Sequence, residues 1–160
     1  MTATRKREPQ EWIIQSNEIE EVYDPEAHAL AQKAFDEFLS GPFSLKRIRD
    51  CHKTLYGMFD PEIAGVWRKF DVQVGARICP SWWAVPHLMR GWLSDHRMAK
   101  TAEEIKQAHI FFEKVHPFGD GNGRVGRMIL NYQRVKAGLE PLLIKKSERW
   151  EYYEWFQESR

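Results

Sequence analysis

One stretch of the sequence holds the residue types that acid–base and phosphate chemistry require. Residues 116–127 read HPFGDGNGRVGR. His116 has an ordinary pKa near neutrality, which makes it the candidate general base. Asp120 offers the hard oxygen ligands that hold Mg²⁺ when phosphates supply the others. Arg124 and Arg127 lie three residues apart, so both can direct forked donors toward one anion. Together these residue types favour transfer of a phosphorus-centred group.

Three glycines interrupt the same stretch. Gly119, Gly121 and Gly123 are expected to take positive φ angles and to let the backbone approach a ligand without a Cβ in the way. A glycine-rich loop that leads into a helix leaves several backbone N–H groups unpaired at one place, where they attract phosphate. The glycines therefore predict a phosphate-binding loop.

Two helices are predicted to hold this loop. A Thr-x-x-Glu capping box and apolar residues at helical spacing predict a helix over about 102–115. Pro117 disfavours the α region for His116, so the helix should end there. Helical spacing then resumes and continues to Gly138. Taken singly, the histidine could be a helix-end residue favoured by the macrodipole, and the arginines a solvated helix face. Their joint spacing favours a functional site.

The stretch resembles the motif of the Fic (Fic/Doc) family, H-P-F-x-[DE]-G-N-G-R-x-x-R, and matches all nine defined positions. The resemblance covers roughly residues 12–156 and implies an all-α fold, a Fic-type helical bundle with one β-hairpin flap. It also implies an enzyme that moves part of a nucleotide, most often AMP from ATP, onto a Ser, Thr or Tyr hydroxyl of a target protein. By position, His116 would be the base, and Asp120 would bind Mg²⁺. The nucleotide would be bound by Gly119, Gly121, Asn122, Gly123, Arg124 and Arg127, with the last at the γ-phosphate.

The periodicity changes over residues 67–80. Apolar and polar residues alternate from 70 to 74, and Gly75 begins the glycine-first pair of a type II′ turn, so a lone β-hairpin is predicted. The hairpin could lie over the core, or its open edge could pair with an extended peptide. In the Fic family a hairpin at this place is the flap that docks the target. The resemblance assigns that role to Val72, Gln73, Val74 and Gly75.

The N-terminal segment carries a further resemblance. Ser16 to Glu20 is similar to the inhibitory motif [ST]-x-x-x-E-[GN] of one class of Fic proteins, within a predicted helix over 12–22. In that class the glutamate reaches the second motif arginine, here Arg127, and prevents productive ATP binding. A carboxylate can satisfy the same forked donors as a phosphate. Glu21 stands where Gly or Asn is expected, so a solvated charge on an acidic helix stays an alternative for Glu20.

Composition bounds the remaining expectations. The 160 residues are 42% hydrophobic and 13% aromatic, which fits one domain over 12–156 behind a disordered tail over 1–11. The net charge of +1 argues against nucleic-acid and membrane partners.

Cys51 and Cys79 lack metal-site spacing and are interpreted as reduced thiols of a cytoplasmic protein. No stretch predicts a membrane span or an export signal. An aromatic stripe on the last helix is interpreted as core or as a homodimer contact: Trp150, Tyr153 and Trp155.

The resemblance, together with these residues, implies a Mg²⁺-dependent protein adenylyltransferase that uses ATP and is autoinhibited by its N-terminal helix. The same fold could instead remove AMP from a modified protein, or transfer UMP, phosphate or phosphocholine. An alternative of another class is a non-catalytic regulator that binds a nucleotide. A metal-dependent phosphodiesterase acting on nucleic acid would use the same His116 and Asp120, but the near-zero net charge argues against it.

Overall fold

The structure, a computed structural model, describes residues 7–157. Its helices are α1 (Glu11–Ile19), α2 (Pro25–Leu39), α3 (Leu45–Tyr56), α4 (Val85–His96), α5 (Ala102–Val115), α6 (Asn122–Lys136) and α7 (Arg149–Tyr153). A two-stranded antiparallel hairpin, β1 (Gln73–Val74) and β2 (Arg77–Ile78), lies between α3 and α4. The predicted fold class, an all-α bundle with one β-hairpin, is confirmed. Within the described residues, no helix combines the length and apolar character that crossing a bilayer requires.

Side-chain caps set several helix starts. The predicted capping box opens α5: Thr101 Oγ1 accepts the Glu104 N–H, and Glu104 Oε1 accepts the Thr101 N–H, both at 3.1 Å. Asp24 Oδ1 accepts the Glu26 N–H at 2.9 Å at the start of α2. Because these bonds join residues two or three apart, they follow from sequence alone.

Helix α6 lies at the centre of the bundle. Asn122 and every residue from Arg124 to Gln133 are buried. A helix that is buried all round needs neighbours on every side, and α1, α2, α3 and α5 supply them. Its polar residues therefore need partners inside the protein. This arrangement excludes the interpretation of the motif arginines as a solvated helix face.

The N-terminal helix is shorter than the predicted 12–22. Glu20 is the C-terminal cap of α1, with φ −94° and ψ 18°. Glu21 follows in the left-handed conformation with φ 61°, and the Val22 N–H donates back to Asn17 O at 3.0 Å. A residue in the left-handed conformation after a helix reverses the chain direction. Backbone N–H groups that follow the helix can then hydrogen-bond to its last carbonyls. Glu20 thus lies on a turn at the end of the helix.

The predicted tail over 1–11 is corrected for the part that the structure describes; residues 1–6 lie outside that part. Arg7 forms an ion pair with α2, and the Gln10 N–H donates to Gln32 Oε1 of α2 at 2.8 Å. The next residue already belongs to α1. The segment packs on the bundle because polar side chains of α2 satisfy its charge and backbone.

The hairpin is also shorter than the alternating pattern. Its paired residues are Gln73 with Ile78 and Val74 with Arg77. The carbonyls at its base bond instead to the buried guanidinium of Arg68, which donates to Phe70 O at 3.0 Å and to Pro80 O at 2.6 Å. At the turn, Gly75 has φ 58° and Ala76 is not among the positive-φ residues, as the predicted type II′ turn requires.

Candidate active site

A cavity of about 780 Å³ lies where the motif loop, the start of α6, the hairpin and the end of α1 meet. The motif contributes His116, Gly119, Asp120, Gly121, Asn122, Gly123, Arg124 and Arg127. Other segments contribute Glu20, Val22, Tyr56, Gln73, Val74, Gly75, Arg77, Glu113, Tyr152, Tyr153 and Phe156. Of the predicted site residues, Ser16 and Val72 lie outside the cavity wall. The fold thus brings together segments from both ends of the described chain.

His116 ends α5 in the left-handed conformation, with φ 53° and ψ 61°. Pro117 excludes the right-handed helical region, as expected, and Arg68 holds the turn from outside. Arg68 Nε donates to His116 O at 2.7 Å, and the Arg68 backbone N–H donates to Pro117 O at 2.8 Å. No local pattern points to Arg68, because these two partners are backbone carbonyls far along the chain.

Phe118 anchors the loop in the core. It is fully buried, and its ring stacks on His52 with centroids 3.9 Å apart. The Asn122 side chain closes the loop, since Oδ1 accepts the Phe118 N–H at 2.8 Å and Nδ2 donates to Phe118 O at 2.9 Å. A phosphate contact by Asn122 would therefore use its backbone N–H.

His52 holds the loop at Asp120. The Gly65 N–H donates to His52 Nδ1 at 3.0 Å, so the proton is on Nε2, which donates to Asp120 O at 2.8 Å. Burial lowers the pKa of His52, which favours this neutral form. His52 thus fixes the backbone that carries the predicted metal ligand.

The expectation of positive φ at all three loop glycines is wrong for two of them. Gly121 has φ 81°, whereas Gly119 and Gly123 have no positive φ. A Cβ at Gly123 would overlap Glu20 Oε1, and one at Gly119 would lie 3.0 Å from the Phe70 ring. At these two positions glycine leaves room for side chains of other segments that pack against the loop.

The start of α6 offers unpaired donors beside Arg124. Its N-cap, Gly121, has no side chain to cap the first backbone N–H groups, so these donors are available to an anion. The Arg124 guanidinium is oriented by α1, since Nε donates to Asn17 Oδ1 at 2.8 Å. Asn17 Nδ2 in turn lies 2.8 Å from His28 Nδ1. Sequence reasoning missed Asn17, although it lies inside the segment that resembles the inhibitory motif.

Arg127 is bound by the end of α1. Nε donates to Ser16 Oγ at 2.7 Å, and Nη2 donates to Ser16 O at 3.0 Å and to Glu20 Oε1 at 2.9 Å. The arginine side chain is 3% exposed and that of Glu20 is 40% exposed. The structure therefore places both predicted inhibitory residues on the arginine that the motif assigns to the γ-phosphate.

A buried network from α7 supports Arg127 from the other side. Nη1 donates to Tyr152 Oη at 3.4 Å, and this hydroxyl lies 2.6 Å from His109 Nε2. His109 Nδ1 lies 3.0 Å from Gly126 O, which can only accept, so Nδ1 bears the proton and Nε2 accepts from Tyr152. Burial and Arg127 lower the pKa of His109 to about 3, in keeping with this neutral ring. The sequence pattern pointed to Trp150, Tyr153 and Trp155, the aromatic neighbours of Tyr152, and not to the contact between Tyr152 and Arg127.

The His116 imidazole is held neutral. Burial, followed by the charges of Arg77 and Arg68, lowers its pKa to about 4. Nδ1 is buried and has no hydrogen-bond partner among the described residues, and His116 lines the cavity. A neutral imidazole with an open nitrogen can accept a proton at physiological pH.

Three of the four predicted docking residues lie on the cavity wall: Gln73, Val74 and Gly75. Val72 is half-buried, and its carbonyl accepts the Cys79 N–H at 3.2 Å. In a two-stranded sheet each strand keeps one unpaired edge. The hairpin thus presents an open strand edge next to the candidate base.

The residues fit a Mg²⁺ ion that arrives with phosphates. Across residues 7–157 no group of three or more His, Cys, Asp or Glu side chains could form a protein-only metal site. In phosphate-transfer sites, however, Mg²⁺ is commonly held by one or two carboxylates together with substrate phosphates and water. Asp120 supplies one carboxylate beside the start of α6, whose free N–H groups would bind those phosphates.

Comparison with known proteins agrees with this geometry. The chain is 33% identical over 119 residues to a protein named protein adenylyltransferase Fic from Culex quinquefasciatus, covering 71% of this chain and 24% of that protein. The namesake from Drosophila melanogaster is 33% identical over 116 residues, covering 69% of this chain and 23% of that protein. The chain therefore spans about a quarter of the length of these relatives.

Solved structures share the fold. A Fic-domain-containing signalling protein from Bacteroides thetaiotaomicron superposes with a TM-score of 0.77 at 18% identity, covering 90% of this chain and 68% of that one. Fic-1 from C. elegans superposes with a TM-score of 0.67 at 26% identity, covering 81% and 42%. The model of the Fic/DOC family matches residues 42–133, which include the hairpin and the whole motif. The chain belongs to the Fic/DOC family.

Proposed function

We propose that the protein is a Mg²⁺-dependent protein adenylyltransferase, which transfers AMP from ATP to a hydroxyl side chain of a target protein and is held in check by α1. The observation that carries the proposal is the shared cavity: the neutral imidazole of His116, the free N–H groups of α6 and the guanidinium of Arg127 all face it. The names of the relatives support AMP as the transferred group.

In this reaction the target oxygen attacks the α-phosphorus of ATP. A new O–P bond forms, the bond to the oxygen that bridges the α- and β-phosphates breaks, and pyrophosphate leaves. His116 Nε2 accepts the hydroxyl proton, while Arg124 and the first turn of α6 bind phosphate oxygens. Mg²⁺ bound at Asp120 would supply positive charge to the phosphates. The hairpin edge positions the target segment.

The inhibitory part of the proposal rests on competition for Arg127. Ser16 and Glu20 already satisfy its forked donors, so the γ-phosphate would have to displace a tethered carboxylate. A tethered group acts at an effective concentration in about the millimolar range. The end of α1 would therefore weaken productive ATP binding until it moves away.

Incubation with α-labelled ATP and Mg²⁺ tests the proposal, with the Glu20→Gly variant beside the wild type. Label that stays on protein through denaturation supports transfer. Tight ATP binding without label from either protein would favour the non-catalytic regulator. Release of AMP from a previously labelled protein, without transfer, would favour the reverse reaction. Matched reactions with γ-labelled ATP distinguish AMP transfer from phosphate transfer.

Two further features enter the proposal. Cys51 and Cys79 are free and buried, which supports the predicted cytoplasmic location. Trp150 is 66% exposed, whereas Tyr153 and Trp155 pack against the core, so of the three residues Trp150 is the one available to a homodimer contact. Sedimentation of the wild type and of Trp150→Ala would test that contact.

A further inference from the structure

Arg77 is a cation on the cavity wall that the family motif does not assign. It lies on β2 beside the turn, and its side chain is half-buried. The other two arginines on the wall, Arg124 and Arg127, come from α6. The hairpin thus brings a third guanidinium to the cavity.

Most donors of Arg77 are free. Among residues 7–157 it has no carboxylate partner within ion-pairing distance. Its one side-chain hydrogen bond there runs from Nη1 to Glu113 O at 3.4 Å, which is long for an N–H···O bond. By contrast, α1 supplies partners to Arg124 and Arg127. Since a guanidinium has five N–H donors, Arg77 can still bind an anion bidentately.

The free guanidinium lies beside the candidate base. Glu113 is one helical turn before His116, so the long hydrogen bond places Arg77 against the last turn of α5. Its charge is the second largest cause, after burial, of the lowered pKa of His116. The charge of Arg68 also lowers the pKa of His116. The Arg68 guanidinium, however, already donates hydrogen bonds to the backbone carbonyls of His116, Phe70, Pro80 and Val115. Arg77 is therefore the cation near the base that can bind a ligand.

A simpler explanation is that Arg77 completes the C-terminus of α5, where a cation is favoured by the helix dipole. This explanation accounts for the contact with Glu113 O. It does not account for a guanidinium on the cavity wall that has no carboxylate within ion-pairing distance among the described residues. The two roles differ in what they predict for catalysis, because a dipole contact contributes to stability alone.

We propose that Arg77 is a catalytic residue, whose guanidinium binds the non-bridging oxygens of the α-phosphate during transfer; this rests on the proposed function. The position of His116 fixes where the attacking hydroxyl lies, and the α-phosphorus must lie next to that hydroxyl. In the proposed function, Arg127 would bind the far end of the same phosphate chain once Glu20 has moved away. Arg77 thus supplies positive charge at the reacting phosphorus.

The positive charge of Arg77 matters because negative charge develops on the transferred group during the step. As the target oxygen bonds to phosphorus and the bond to pyrophosphate breaks, negative charge is spread over the oxygens of the transferred group. A cation already held at that place stabilises the transition state without reorganisation. Removing one such donor typically lowers kcat by about 100- to 1,000-fold.

The test compares Arg77→Gln and Arg77→Lys in the Glu20→Gly background, with Lys69→Gln as the matched control. Lys69 is an exposed lysine at the base of the same hairpin and lies outside the cavity wall. We expect Arg77→Gln to lower kcat by about 100-fold or more, with an ATP Kd within about tenfold and an unchanged melting temperature. Arg77→Lys should keep part of the rate, and Lys69→Gln all of it. Loss of the charge should also raise the pKa of His116, which moves the acid limb of kcat/KM to higher pH while Arg68 stays in place.

A kcat for Arg77→Gln within threefold of its background would overturn the assignment. A higher KM for the target with an unchanged kcat would do the same and place Arg77 in target docking. If the Glu20→Gly protein itself transfers no label, the proposed function fails and the role of Arg77 fails with it. If the Glu20→Gly protein transfers label and adding Arg77→Gln leaves that transfer unchanged, only the role of Arg77 is overturned and the proposed function stands.

Discussion

Glu20 Oε1 lies 2.9 Å from Arg127 Nη2. One partner is deeply buried and the other is partly open to the cavity, so the pair joins the core of the bundle to the candidate nucleotide site. A carboxylate and a phosphate satisfy the same forked donors. ATP and the end of α1 should therefore compete for one guanidinium.

Glu20→Gly should raise transfer activity, self-modification included, and tighten Mg-ATP binding by roughly tenfold or more, because a tethered competitor is removed. Adding Arg127→Ala should abolish the gain, since the donor that both ligands need is gone. Titration calorimetry and labelling with α-labelled ATP measure the two effects. Unchanged affinity and labelling in Glu20→Gly would show that α1 is ordinary scaffold.

Glu21→Gly is the matched control for Glu20→Gly. Glu21 points away from Arg127 and contacts Tyr23 and Lys146, so activity should change little. Its φ of 61° is a left-handed conformation that a non-glycine residue adopts at a cost. An exposed ion pair contributes little in return. The melting temperature should therefore rise, and a fall would show that the contacts of Glu21 outweigh its backbone strain.

His116→Ala should lower transfer by about 100- to 10,000-fold while ATP binding survives, because a base acts in the transition state. In the wild type the imidazole stays neutral until the pH approaches about 4. The acid limb of kcat/KM, which reports the free enzyme, should therefore lie near that pH and well below 6.5. Activity within a few-fold of wild type in His116→Ala would remove the residue from this role.

Asp120→Ala should lose Mg²⁺-dependent activity, since a methyl group cannot replace a hard oxygen ligand. Asp120→Glu is the control, because it keeps the carboxylate and the motif allows either acid. Activity measured across a Mg²⁺ titration separates the two variants. The same Mg²⁺ dependence in Asp120→Ala and wild type would place the metal elsewhere.

Gly75→Val should reduce modification of protein targets while ATP binding remains. No atom lies within 4 Å of a Cβ built at Gly75, so the effect comes from its φ of 58°, which a β-branched residue resists. Ala76→Val adds the same side chain one residue later without positive φ and should be tolerated. Equal target labelling by the two variants would show that the turn geometry does not control docking.

Glu113→Gln should stabilise the protein at high pH. Burial raises the pKa of Glu113 to about 7 from the ordinary 4.5, and Oε1 has no hydrogen-bond partner among the described residues. The stability contribution of the protonated form is complete below pH 4.5 and is lost as the pH rises through about 7. The variant should therefore gain up to about 3 kcal/mol over wild type above pH 7, relative to their difference below pH 4.5. Urea unfolding across this range measures it, and a constant difference would show that Glu113 does not titrate in this window.

The sequence by itself determined the elements whose causes are local. The capping box of Thr101 and Glu104, the end of α5 before Pro117 and the glycine turn of the hairpin all depend on residues a few positions apart. The motif spacing placed His116, Asp120 and the arginines on one loop and one helical turn. The resemblance of the segment from Ser16 to Glu20 to the inhibitory motif also implied Arg127 as the partner of Glu20.

Only the tertiary structure decided how these residues are held. Arg68 on the His116 carbonyl, Tyr152 on Arg127 and Asn17 on Arg124 join segments that lie 48, 25 and 107 residues apart. Contacts of this kind leave no period or local pattern in a single sequence, because they arise when the packed core brings distant segments together. For the same reason, the sequence could not show that Gly123 makes room for Glu20 or that Arg77 lines the same cavity as His116. Those facts depend on how α1 and the hairpin pack against the two motif helices.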